Sequence, residues 1–127
     1  MKKILLSSAF LLALFVTMQS CQKEIVQKEV VKDITIDTTI SAGSDYLLNL
    51  APYGDEGYVA TILDAGNNFS VSRLENETDM FTTVYHYTSA AKFSGIDYVT
   101  LSIKPNPTDG QGSSKDSTII YINLTVK

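Results

Sequence analysis

Few side chains in this 127-residue sequence are equipped for chemistry. Its one histidine, His86, alternates with Tyr85 and Tyr87, and its one cysteine, Cys21, follows a long apolar run. A hydrolytic triad would have to use His86, yet no serine stands in a Gly-x-Ser-x-Gly turn that would present its hydroxyl as a nucleophile. Zinc is served no better, because neither an HExxH helix nor a cysteine pair accompanies the histidine. Asp45, Asp55, Glu56, Asp64, Asp79, Asp97 and Asp109 lie near turns and offer hard oxygen ligands, but there is no DxDxDG calcium loop, and acids at turns are ordinarily solvated. The sequence therefore reads as non-enzymatic, with no cofactor and no metal. Recognition is better supplied. The segment APYGDEGY places Tyr53 and Tyr58 around Asp55 and Glu56 on a loop between apolar runs, which makes these four residues the candidate binding loop.

Cys21 is explained by what precedes it. Lys2 and Lys3 give a positive start, Ile4 to Val16 is apolar apart from Ser7 and Ser8, and Thr17 to Ser20 is a short polar exit. This is the layout of a secretory signal, and its apolar part falls well short of the roughly 20 residues of a spanning helix. A small Ser20 before Cys21 resembles the lipobox of bacterial lipoproteins. That resemblance implies cleavage after residue 20 and a diacylglycerol on the Cys21 thiol. Each buried methylene of a lipid chain contributes about 0.8 kcal/mol, so two or three chains hold firmly where one does not. The following QKE is similar to the outward-export signal of Bacteroidetes surface lipoproteins, which implies an outer-membrane lipoprotein facing the cell surface. DTT at Asp37 and DST at Asp116 resemble the O-glycosylation motif of the same envelopes and imply Thr38 and Ser117 as acceptors.

Cleavage leaves about 107 residues, the size of one domain with a single core. Losing Lys2 and Lys3 takes the formal charge two units below its starting −4, which suits neither nucleic acid nor an anionic membrane surface. With one cysteine there is no internal disulfide, so packing alone must hold the fold. Residues 21–33 read as the lipidated end and a charged tether. From Ile34 to Lys127 the chain breaks into seven β-rich runs: DITIDTTI, DYLLNL, YVATILD, FSVSRL, MFTTVYHYT, DYVTLSIK and DSTIIYINLTV. Runs at this spacing, parted by Gly, Asn, Asp, Ser and Pro, predict a β-sandwich. Ile120, Ile122, Leu124 and Val126 alternate with polar partners, as do Val99, Leu101 and Ile103, so each set is expected to face the core.

The stretch YHYTSAAKFSGIDYVTLSI resembles the second half of bacterial cadherin-like and Ig-like surface repeats, through Tyr87, Thr88, Ala90, Ala91, Phe93, Gly95, Asp97 and the alternating strand that follows. The resemblance implies an all-β, Ig-like/cadherin-like antiparallel sandwich. In it Phe93 plugs the end of the core, Gly95 takes a positive φ, and Asp97 binds backbone amides at the start of the next strand. Two functions follow as expectations. The first is a lipid-anchored binding or adhesion module that recognises an envelope protein or glycan through end loops. The second is an assembly accessory that docks through an exposed strand edge.

Overall fold

The computed structural model describes residues 29–54, 57–77, 82–106 and 116–127, so Cys21, Asp55 and Glu56 lie outside the described residues. Among the described residues seven strands run in the order β1 (Val31–Ile40), β2 (Asp45–Asn49), β3 (Tyr58–Asp64), β4 (Phe69–Glu77), β5 (Thr82–Ser89), β6 (Gly95–Pro105) and β7 (Ser117–Val126), with a 3-10 turn at Ala51–Tyr53. They form two sheets, β1-β7-β6-β3 and β2-β5-β4. This is an all-β, Ig-like sandwich.

Alternation decides which side chains go inside. Ile120, Ile122 and Leu124 of β7 and Leu101 and Ile103 of β6 are wholly buried, with Val99 and Val126 nearly so, while Tyr121 and Tyr98 point outward. From the opposite sheet, Tyr85 and Tyr87 of β5 enter the same core, together with Leu50. Ile34, Ile36 and Ile40 of β1, Tyr46 and Leu48 of β2, and Ala60 and Ile62 of β3 flank it. The phenol of Tyr85 keeps a partner in the interior, 2.7 Å from the Ser72 hydroxyl. Burial, moderated by that bond, pushes its pKa up to about 12.

Two expectations are corrected. The tether was expected to run to Asp33, but Val31, Lys32 and Asp33 belong to β1, in register with Ser117, Thr118 and Ile119. They lack the alternating pattern of the residues after Ile34, and their strand form comes from pairing with β7. The sandwich is also not wholly antiparallel, because β1 runs parallel to β7 along its whole length. An edge strand paired on one side only is free to take either direction.

Candidate functional site

The registers sort the turns into two poles. β2 ends where β5 begins (Asn49 opposite Val84), β3 begins where β6 ends (Tyr58 opposite Pro105), and β1 and β7 begin together (Val31 opposite Ser117). The turn after β2, the start of β7 and the incoming chain at Glu29 and Val30 therefore share one pole. Residues 41–44, 65–68 and 90–94 share the other.

The first pole holds a cleft of about 200 Å³ lined by Pro52, Tyr53, Gly54, Tyr58, Asp116 and Thr118. Local chemistry shapes its wall. The Ala51 amide donates to Asn49 Oδ1 at 2.9 Å, and the Tyr53 amide closes the 3-10 turn on the Leu50 carbonyl at 3.0 Å. Wholly buried Leu50 pins this turn to the core, and its amide donates to the Thr83 carbonyl at 2.9 Å. Pro52 supplies a fixed φ inside the turn, where a missing amide costs nothing. On the far wall, Gly57 takes φ +83 and accepts the Asn106 amide at 2.7 Å, which sets Tyr58 at the start of β3. The two tyrosines singled out in APYGDEGY thus meet in one cleft. Asp116 and Thr118 were missed as members of it, because they lie about 60 residues away in sequence and only the sandwich brings them across.

The opposite pole is closed by a carboxylate. Asp97, 2 % exposed, accepts the Asn67 amide at Oδ1 and the Asn68 amide at Oδ2, both at 2.9 Å. It also accepts the Tyr87 hydroxyl at 2.7 Å and its neighbouring Tyr98 amide at 3.2 Å. Burial alone would raise the Asp97 pKa, but these donors outweigh it and hold the carboxyl below its ordinary value. Burial, reinforced by the bond to Asp97, raises the Tyr87 phenol strongly. Gly66, at φ +82, completes the clamp, since a Cβ there would lie 2.6 Å from Asp97 Oδ2. The expected roles of Asp97 and Gly95 appear in the structure, with Gly95 at φ +146. Phe93 does not plug the core. It is half-buried and folds over Gly95, 3.1 Å from where a Cβ would stand. Tyr87, with Phe69 tilted against it at 6.4 Å, and Asp97 already fill that end.

His86 lies on the outer face of the smaller sheet, where it joins all three strands. Its Nδ1 is 3.0 Å from Glu75 on β4, and its Nε2 is 3.3 Å from Asp45 on β2. Hydrogen bonds to the Glu75 and Asp45 carboxylates raise its pKa, against an opposing desolvation. The two carboxylates sit at opposite ends of the imidazole, so they do not converge on one ion, and no metal-holding cluster occurs among the described residues. The neighbouring Thr88 hydroxyl donates to Asp45 at 2.5 Å and stands 3.4 Å from Nε2. Its proton is held by a carboxylate, which leaves no base–nucleophile pair. This cluster ties strands together. Asp64 likewise serves its own turn, with Oδ1 accepting the Gly66 amide at 3.0 Å.

The expected acceptors of sugar are not well presented. Ser117 is 3 % exposed, its amide bonded to the Val30 carbonyl and its hydroxyl 3.3 Å from Glu29. Thr38 is half-buried, in phase with the inward Ile34, Ile36 and Ile40. The folded domain therefore shields Ser117 from a transferase. Among the described residues no helix is long and apolar enough to cross a membrane.

No protein-family model and no curated protein matches the chain. Solved structures with a similar course include PbICP-C in complex with falcipain-2, at 15 % identity and TM-score 0.48 over 79 % of this chain and 93 % of that one. Another is the cysteine protease inhibitor EhICP2 from Entamoeba histolytica, at 12 % identity and TM-score 0.37 over 77 % and 96 %. A third is the endo-fucoidan hydrolase MfFcnA9 of glycoside hydrolase family 107, at 20 % identity and TM-score 0.47; the match takes in 73 % of this chain but only 15 % of the hydrolase. Likenesses this slight extend to the course of the backbone and carry nothing about activity.

Proposed function

We propose that this chain is a lipid-anchored binding module of a bacterial cell envelope, non-enzymatic, of the Ig-like/cadherin-like surface type, which engages a partner protein or glycan through the tyrosine cleft. The cleft carries this reading. It opens at a pole, between the sheets, and pairs two phenols with a carboxylate and a threonine hydroxyl. Tyrosine offers a large, rigid contact surface with a polar tip at little conformational cost. The chain enters at the same pole. A lipid on Cys21, eight residues before Glu29, would hold Glu29, at this pole, within roughly 29 Å of the anchored residue. The partner is therefore sought close to the membrane. Docking through the β3 edge, which exposes Val59 and Leu63, is less favoured, because a register shift between Ile62 and Asp64 spoils that edge as a template.

The experiment combines anchor and cleft. A fatty-acid probe fed to cells should label the wild type and leave Cys21→Ser unlabelled. A photo-crosslinking amino acid at position 53 should give a discrete adduct in the envelope, whereas the same group at position 39 should not. Equal labelling of wild type and Cys21→Ser removes the anchor. Indistinguishable adducts from the two positions remove the cleft.

A further inference from the structure

The outer face of the larger sheet carries a second candidate surface, remote from the cleft. The registers lay out two rows of three across β1, β7 and β6: Thr35, Tyr121 and Thr100 in one, Asp37, Asn123 and Tyr98 in the next. All six point away from the core, since Ile120, Ile122, Val99 and Leu101 between them are buried. The two tyrosines sit on a diagonal of neighbouring strands, which separates their stems by about 7–8 Å. Tyr98 is 59 % exposed and Tyr121 41 %, in the middle strands of the sheet, where rings are usually covered. Neither phenol has a hydrogen-bond partner among the described residues. Between them Asn123 Nδ2 donates to Asp37 Oδ1 at 2.7 Å. That bond fixes the orientation of both groups and leaves the second amide N–H, the amide oxygen and the second carboxylate oxygen facing water.

We infer that this face, built on Tyr98 and Tyr121 with Asp37 and Asn123 between them, is a binding platform for a neutral polysaccharide chain. Sugar rings present C–H faces that pack on aromatic faces, and hydroxyls that both donate and accept. The grid supplies two rings for the first and an amide, a carboxylate and two threonine hydroxyls for the second. The diagonal spacing suits a chain of sugar units, because a single ring does not reach both tyrosines. Charge selects the class. Asp37 within the grid and Asp33 one row beyond Thr35, both exposed on β1, repel sulfated or uronate polymers at the tyrosines, while the cation Lys104 stands two rows beyond Thr100 on β6, away from both rings. The platform does not depend on the tyrosine cleft, and its residues are separate from it.

The test is affinity electrophoresis of the mature chain carrying Cys21→Ser, through gels containing xyloglucan, galactomannan or laminarin as neutral probes and polygalacturonate or fucoidan as anionic ones. At least one neutral polymer should retard the protein and neither anionic one should. Tyr98→Ala and Tyr121→Ala should each weaken retardation at least tenfold with thermal midpoints unchanged. Tyr98→Phe and Tyr121→Phe, which keep the ring, should retain most of it, and Tyr53→Ala should retain all of it. No retardation by any neutral polymer overturns the inference, as does loss of retardation in Tyr53→Ala alone. A concentration-dependent dimer in sedimentation, abolished by Tyr98→Ala, assigns the face to a second copy of the chain and also overturns it.

Discussion

The two poles of the sandwich are built from the same materials and finished differently. At the pole of residues 41–44, 65–68 and 90–94, polar groups cross from one sheet to the other. Gly43 donates to the Ser89 hydroxyl at 2.8 Å, and Asp97 gathers Tyr87 with the amides of Asn67 and Asn68. At the pole of Tyr53 and Tyr58 the backbone bonds run between neighbours, such as Ser117 to Val30 and Asn106 to Gly57, and the gap between sheets is left as a cleft. A sandwich needs a buried, fully satisfied group to seal an end, because an unpaired one costs more than an open mouth. Sealing one end by a carboxylate clamp holds the core together while the other end keeps an open cleft.

The largest effect should come from breaking the seal. Asp97→Ala strands the Tyr87 hydroxyl and the amides of Asn67 and Asn68, and should cost about 3–4 kcal/mol in denaturant unfolding. The sign of its pH dependence is fixed. The folded-state pKa is lowered, so the stability is present above the ordinary value of 3.8 and is lost as pH falls through the folded value. Acid unfolding of Asp97→Ala should lack the part that this group contributes. A midpoint unchanged by Asp97→Ala would end the contrast between the poles.

A smaller effect sharpens it. As a core plug, Phe93 would cost about 3–5 kcal/mol on truncation to Ala. As the half-buried cover of Gly95, it should cost about 1–2 kcal/mol by the area it removes from water. Tyr53→Ala should cost a similar amount, since its half-buried ring packs against the margin of the core, yet it alone should also lose binding of the partner that the crosslinker at position 53 captures. If denaturant midpoints showed Phe93→Ala as damaging as Asp97→Ala, the aromatic ring and not the carboxylate would be the seal.

The smallest effect concerns a region belonging to neither pole. The raised pKa of His86 means that the stability it lends is present below its ordinary value of 6.5 and fades as pH rises through the higher folded value. Glu75, Asp45 and, through Glu75, Arg73 face it, all near the surface. Thermal midpoints should slip slightly from pH 6 to pH 9 in the wild type and stay level in His86→Gln, with Asp45→Asn in between.

Much of this was written in the local pattern. The alternation in β6 and β7 marked Val99, Leu101, Ile103, Ile120, Ile122 and Leu124 as core, because a strand turns successive side chains to opposite faces whatever surrounds it. The same rule put Tyr85 and Tyr87 on one side and His86 on the other. Gly95 was legible as a turn residue, since its role is local, and Asp97 as an acceptor of backbone amides, though not of which amides. The cleft was half legible, in Tyr53 and Tyr58 but not in Asp116 or Thr118.

What the sequence alone determined was which residues face inward and where the chain turns, both consequences of the strand's two-residue period and of turn chemistry. Only the tertiary structure decided who meets whom. β1 lies parallel to β7, so that Asp37 meets Asn123 from 86 residues away, and Asp97 meets the amides of a turn 29 and 30 residues before it. Phe93 yields its expected place to Tyr87. No local preference encodes these pairings. They are settled by which arrangement of sheets buries the apolar faces together while leaving no polar group unpaired, and that is a property of the whole chain.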